Sequence, residues 1–270
     1  MTGSRISSLN AKSPRRLPVS FKEKVWGTRD LFPWFPAPGP KIGEAWFEAD
    51  LPLLVKFVFT AEALSVQVHP DDAFAAAHEN SMGKTEMWYV LRAEEGARVA
   101  VGLRESLTRE QLRAAALDGS IEGLLNWVDV KRGDAFFIPA GTVHAIGPGL
   151  VLCEIQQHSD ITYRLYDYGR PRELHLDKAI QVASTEASKG GATTLPIDCG
   201  YFHAELARIT TTIEYPPPAE LFHLLVFASG MGTIAEQPFR EGETWLVPAG
   251  ADSFSIKPSE PTKFLRTWVP

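Results

Sequence analysis

Cysteine is scarce: only Cys153 and Cys199 occur in 270 residues. Two cysteines cannot build a disulfide framework, and this pair forms no C-x-x-C motif, which fits a reducing compartment. No segment approaches the roughly 20 apolar residues that a membrane-spanning helix requires. The start, MTGSRISSLNAKSPRRLPVSF, has no apolar run long enough for a signal peptide. A cytoplasmic protein is expected. Basic excess is also missing. With 27 Lys+Arg against 33 Asp+Glu the net charge is −6, so neither nucleic acid nor an anionic membrane is favoured as a partner. An anionic substrate would need a local basic patch against that background.

Helical periodicity is sparse as well. Its clearest instance runs from Thr108, a cap, to Asp118 before Gly119, and Asp71 or Asp72 can cap a second short helix over DDAFAAAHEN. Short apolar or alternating runs dominate instead: LLVKFVFTA (53–61), ALSVQVH (63–69), TEMWYVL (85–91), ARVAVGL (97–103), DAFFIPA (134–140) and LVLCEIQQ (150–157). Close-spaced strands with Gly, Pro and Asp between them predict an all-β fold with minor α content, a sandwich or barrel.

The chain also repeats itself. GDAFFIPAGTVHAI (133–146) and GETWLVPAGADSFSI (242–256) share a Gly-acid turn, an apolar run, Pro-Ala-Gly and a return strand. Two copies predict two related β-barrels. Where the first copy has His144 the second has Ser253, so the second barrel is expected to lack that ligand and to act structurally. Three parts follow: a flexible or loosely docked arm (1–18), an N-terminal metal-binding domain (19–183) and a degenerate C-terminal domain (193–270). STEASKGGA (184–192) is the linker between the two domains.

Chemistry concentrates in the first copy. In SVQVHPDD, Gln67 and His69 share one strand face and Val66 and Val68 the other. Pro70 ends the strand at once and sets His69 at a barrel mouth. In GKTEMWYVL, Glu86 and Trp88 share a face, with Lys84 if the strand already starts there, and a carboxylate among large apolar residues is either exposed or recruited by a cation. IPAGTVHAIG delivers His144 just after a tight turn. Gln67, His69, Glu86 and His144 can together give one divalent ion two imidazole nitrogens and two oxygens, with a position left open. The His-x₁₆-Glu gap followed by G-x₅-P-x-G-x₂-H is the cupin pattern, with Gln67 where many cupins have another histidine. Farther on, CEIQQHSDITYRLYDYGRPRELH carries Glu154, Arg164, Arg170 and Arg172. Arginine suits planar recognition of phosphate. For Arg170 and Arg172, salt bridges to Asp160, Asp167 and Glu173 are an equal alternative, and Arg164, flanked by Tyr163, Leu165 and Tyr166, is the better functional candidate. His78, His158, His175, His203 and His223 are read as structural or as supports behind the site residues.

VWGTRDL, IGEAWFEAD, LSVQVHPDD, GKTEMWY, GDAFFIPAGTVHAIG and EIQQHSDITYRLYDYGR resemble, in order, the blocks of short bacterial type I mannose-6-phosphate isomerases, over Val25 to His175. The resemblance implies a two-cupin fold and interconversion of mannose 6-phosphate and fructose 6-phosphate with one bound Zn²⁺. It implies metal ligands at Gln67, His69, Glu86 and His144, a catalytic arginine at Arg164, and an active-site lysine and glutamate at Lys84 and Glu154. Ser65 falls at a position of the substrate pocket. The large helical insertion of longer members is absent. Two alternatives share these residues: an iron or manganese cupin dioxygenase, and a non-catalytic sugar-binding cupin. Lys84 with Arg164 favours the phosphorylated substrate over the first. The general base is left open among Glu154, Lys84 and a metal-bound hydroxide.

Overall fold

The structure is a computed structural model that describes residues 12–37 and 39–270. Strands form four open antiparallel sheets, stacked in sequence, with short helices on one outer face. None of the sheets closes on itself.

The first sheet runs in the order Val19–Thr28, Ile42–Phe47, Leu53–Thr60, Leu150–Gln157, Glu86–Ala93, Ala135–Ile138. Opposite it lies a five-stranded sheet: Tyr163–Tyr166, Val66–Val68, His144–Ile146, Arg98–Leu103, Leu125–Asp129. Trp26, Val58, Trp88, Val99, Phe136 and Leu152 fill the space between the two. Period-2 alternation explains the filling, because each strand sends every second residue inward. Val66 and Val68 point the other way, into a cluster with Leu112, Ala116 and Ile180 of the helices Arg109–Asp118 and Leu176–Val182. Thr108 caps the first of these as expected, with a full capping box, and Gly119 ends it at φ 83°.

The second half repeats the layering. A six-stranded sheet built around His223–Ser229, Thr262–Trp268 and His203–Ile209 faces a four-stranded one, Ile213–Tyr215, Phe254–Pro258, Met231–Ile234 and Gln237–Arg240. Leu225, Phe227, Trp245, Ile256 and Phe264 fill the space between them. The two six-stranded sheets pack back to back through Phe57, Phe59, Met87 and Tyr89 against Phe202, Leu224, Val226 and Leu265. The turn glycines of the internal repeat, Gly133 and Gly242, have φ of 97° and 86°, a conformation that glycine adopts without a Cβ penalty.

The expected arm needs correction in its described part, residues 1–11 lying outside the described residues. Arg15 and Arg16 pair with Leu246 and Trp245, Leu17 is buried and donates its N–H to Thr244, and Arg16 reaches Glu243 at 2.8 Å. Arg15 and Arg16 thus add a short edge strand to the sheet of the second half, with Leu17 bonded beside it. The expected linker is also docked: Ser188 N donates to Leu103 O, and Asn126 Nδ2 to Gly190 O at 2.6 Å. Among the described residues, no helix is long and apolar enough to cross a membrane.

Candidate active site

Register decides which side chains meet. On one face of the five-stranded sheet, Gln67 lies between His144 and Arg164 as their direct cross-strand partner. Residues opposite each other in an antiparallel pair share a face, so these three form a row. The facing sheet presents a second row in the order Trp88, Glu154, Lys56, Trp46. Glu86 stands one pleat away, opposite Gln156 and Ile138. His69 follows its strand directly, and Gly141 N donates to His69 O at 2.8 Å, which ties the Pro-Ala-Gly turn to it.

His69, Glu86 and His144 are fully buried, and their ligand-capable atoms lie within 4.8 Å of one another. His69 Nδ1 donates to Ile161 O and His144 Nδ1 to Thr142 O, each at 2.8 Å. Both protons are thereby fixed on Nδ1, and the two Nε2 lone pairs face Glu86. Nε2 of His69 stands 3.5 Å from Glu86 Oε2, and Nε2 of His144 stands 3.6 Å from Glu86 Oε1. Among the described residues, neither Glu86 oxygen nor His69 Nε2 has an aligned hydrogen-bond partner. Lys84 Nζ forms an ion pair with Glu86 Oε2 at 3.1 Å and offsets part of the cost of burying that carboxylate. Tetrahedral ligands about 2.1 Å from a divalent ion stand about 3.4 Å apart, close to the separations here. The residues fit a divalent ion.

An amide rotation would bring Gln67 into the set. Its Nε2 is 3.2 Å from His144 Nε2, and its Oε1 accepts from Ser65 Oγ at 3.2 Å. Rotating the amide by half a turn aims the oxygen at the Glu86 cluster and lets the NH₂ donate to Ser65. Burial holds the His144 imidazole down at about 4, and burial together with the Lys84 charge lowers His69 well below the usual histidine value. Neutral imidazoles are the ligand form.

Beside this cluster opens a cleft of about 210 Å³. Ser65, Gln67, Lys84, Glu154 and Arg164 line it, so five of the sequence-predicted residues meet at one cleft, while His69, Glu86 and His144 are not part of its lining. Lys84 is buried. Burial opposes its charge, yet Glu86 and Glu154 outweigh that and raise its pKa above the ordinary lysine value. Glu154 moves upward through burial and the Glu86 charge. Arg164 donates from Nη1 to Glu173 O at 2.6 Å, and its buried Nε has no partner among the described residues. Arg172 lines the cleft as well, but its Nε and Nη2 grip buried Asp167, both at 2.6 Å. Arg170 joins the same carboxylate at 2.7 Å and also holds Ala63 O. Of the salt bridges weighed for these arginines, the Asp167 ones form, and Glu173 contributes only a backbone carbonyl, to Arg164.

Lys56 and Glu44 were not singled out in the sequence. Lys56 is 2% exposed, 3.7 Å from Glu154 and 4.3 Å over the Trp46 ring. Glu44 lines the cleft and pairs with Lys24 at 3.2 Å. A lysine in the otherwise apolar run LLVKFVFT was the available signal, because a lysine inside a buried strand requires partners.

No protein-family model matches the chain. Mannose-6-phosphate isomerase ManA of Bacillus subtilis is 33% identical to it over 298 residues, spanning 88% of this chain and 93% of that protein. The chain belongs to the mannose-6-phosphate isomerase family. The mannose-6-phosphate isomerase of Streptococcus mutans is 36% identical over 217 residues, 73% of this chain and 68% of that one. In structure, mannose 6-phosphate isomerase from Bacillus subtilis superposes with a TM-score of 0.85 at 28% identity, over 94% of this chain and 99% of that one. A phosphomannose isomerase from Salmonella typhimurium shares the fold, with a TM-score of 0.77 at 16% identity over 95% and 99% of the two chains.

Within this mannose-6-phosphate isomerase family member, the two halves differ at register-equivalent positions. Aligning Ile138-Pro139 with Val247-Pro248 makes His223 the counterpart of Glu86. Arg266 then matches Glu154, and Glu205 matches Lys56. The second half therefore has an ion pair with the charges exchanged, Arg266 to Glu205, but partly exposed. Its histidines pack on aromatics: His203 stacks on Trp268 at 4.1 Å, and His223 Nδ1 meets the Tyr215 hydroxyl. His78 packs on Phe74, His158 Nδ1 contacts Leu51 O, and His175 Nδ1 accepts from Arg164 N.

Proposed function

We propose that this protein interconverts mannose 6-phosphate and fructose 6-phosphate through an enediol. The observation that carries the reading is the buried His69–Glu86–His144 cluster, whose ligand-capable atoms lie within 4.8 Å of one another, beside a cleft lined by Gln67, Lys84, Glu154 and Arg164. Family membership supplies the reaction class.

Gln67, His69, Glu86 and His144 would hold one divalent ion, taken here as Zn²⁺. When bound, such an ion withdraws electron density from substrate oxygens and stabilises negative charge developing on them. The chain's own residues account for the rest. Arg164 lines the cleft, and its guanidinium stabilises oxyanion charge or the phosphate. Lys84 stays protonated, because Glu86 and Glu154 surround it, and serves as a positive donor to a sugar oxygen. Glu154, with its pKa raised, is suited to carry the proton between C1 and C2. Ser65 orients Gln67 and borders the substrate space.

The architecture is read as two cupin-type barrels. Residues 19–183 carry the site, 184–192 connect, and 193–270 form a second barrel whose role is structural. The repeated Pro-Ala-Gly turns and the matching strand registers support this. A dioxygenase reading has no comparable support, since the cleft is walled by Lys24, Lys56, Lys84, Arg164 and Arg172. Incubation of the purified protein with mannose 6-phosphate, followed by NMR, tests the proposal. Appearance of fructose 6-phosphate is expected; unchanged substrate with metal-loaded protein would end it.

A further inference from the structure

Trp88 is fully buried in the space between the first two sheets, yet its indole is not merely packing. Its Nε1 donates to Glu154 Oε2 at 3.1 Å. The same ring meets His144 edge-to-face, with centroids 5.5 Å apart at 67°. Trp88 and Glu154 are direct cross-strand partners, so backbone register holds the indole against the carboxylate. Beyond Glu154 in the same row comes Lys56, 3.7 Å from Oε1, and Lys84 approaches Oε1 at 3.9 Å. The two oxygens of Glu154 are therefore unequal. Oε2 faces the interior and a donor that can never accept a proton, whereas Oε1 faces the cleft cations.

We infer that Trp88 is a positioning residue of the isomerisation: its indole N–H occupies Glu154 Oε2 and dedicates Oε1 to the substrate proton. The inference rests on the role given to Glu154 above. In the step it concerns, Oε1 takes the proton from C2 as the C–H electrons form the C1=C2 bond and the carbonyl electrons move onto O1. The same oxygen then returns that proton to C1 as O2 becomes the carbonyl, and the hydroxyl proton passes from O2 to O1. If Oε2 were free, the carboxylate could rotate or carry the proton on the oxygen that faces away from the sugar. Fixing one oxygen removes that unproductive state at no cost during reaction.

Trp88→Phe removes the donor and keeps an aromatic ring, and 3-benzothienylalanine at position 88 keeps the full shape while sulfur replaces the N–H. Both proteins, loaded with zinc, are assayed for kcat, KM and zinc per chain, alone and combined with Glu154→Gln. A hydrogen bond to a charged group corresponds to about 10- to 100-fold in rate. That loss is expected in kcat for both replacements, with KM within about twofold and zinc unchanged. In the Glu154→Gln background the same replacements should have no further effect on the residual rate. Wild-type kcat in the benzothienyl protein, or an equal loss in both backgrounds, overturns the inference. Loss of zinc along with kcat also overturns it, because Trp88 would then act through His144. If Glu154→Gln alone retains wild-type kcat, the role of Glu154 itself falls. If Glu154→Gln is impaired and the Trp88 replacements are normal, only the positioning role does.

Discussion

Replacing Arg164 separates three roles for one guanidinium. The side chain lines the cleft, in a row with Gln67 and His144, and donates from Nη1 to Glu173 O. Burial and the nearby Arg172 charge lower its pKa, so the site holds a partly desolvated cation whose Nε is unpaired among the described residues. Arg164→Ala removes one preorganised donor, which typically costs about 10²–10³ in kcat. It also frees the Glu173 carbonyl at a fairly open site, for about 1 kcal/mol of stability, so the fold should survive. Neither His69, Glu86 nor His144 is held by Arg164, and metal content should stay at the wild-type level. Arg164→Lys should not restore the rate, because an ammonium is a compact point charge without the planar fork. Steady-state kinetics with zinc analysis on the same sample gives the answer. A raised KM with kcat unchanged would make Arg164 a phosphate anchor only. Normal values of both constants would refute any role for it in the reaction.

Three further outcomes are expected. His144→Ala should lose bound metal and activity together, measured by elemental analysis and turnover; retention of one ion per chain would remove His144 from the ligand set. Asp167→Asn should destabilise the protein by about 2–3 kcal/mol in urea unfolding, because one buried carboxylate holds both Arg170 and Arg172; no change would mean that the arginines re-pair with solvent. His223 is held at about 4 by burial and by Arg266, below its unfolded value of about 6.5. The unfolded chain therefore binds the extra proton first. Its contribution is full above about pH 6.5 and is lost as pH falls towards 4, with a slope of at most about 1.4 kcal/mol per unit. His223→Gln should flatten the pH dependence of unfolding in that window, and an unaltered slope would contradict the assignment.

Much of the fold was legible because the strands are short, alternating and punctuated. Leu150–Gln157 was read residue for residue, and the caps at Asp71 and Thr108 act on the helices Asp72–Glu79 and Arg109–Asp118. The internal repeat was visible because Pro-Ala-Gly demands one turn geometry wherever it occurs. The helix Leu176–Val182 escaped, since His175 offers no side-chain cap. In the site, residues close to a motif turn were accessible to reading: Gln67, His69, Glu86 and His144 flag themselves as polar groups in apolar strands. Lys56 did not, because what makes it part of the cleft is its register with Glu154 and Trp46 on two other strands. The same holds for the exchange of Glu86 for His223 and of Lys56–Glu154 for Glu205–Arg266, which only strand pairing reveals. For Arg170 and Arg172 the sequence left phosphate recognition and salt bridges equally open; the fold turns both towards Asp167, and Arg172 also lines the cleft.

Activity against zinc stoichiometry bears most directly on the central reading. Metal-depleted protein is titrated with zinc, and mannose 6-phosphate turnover is followed at each addition. Turnover should be absent at the start, rise linearly and reach a plateau at one equivalent per chain, with Glu86→Gln giving neither binding nor turnover. Full turnover before zinc is added, or tight binding of one equivalent without any fructose 6-phosphate, would contradict the account.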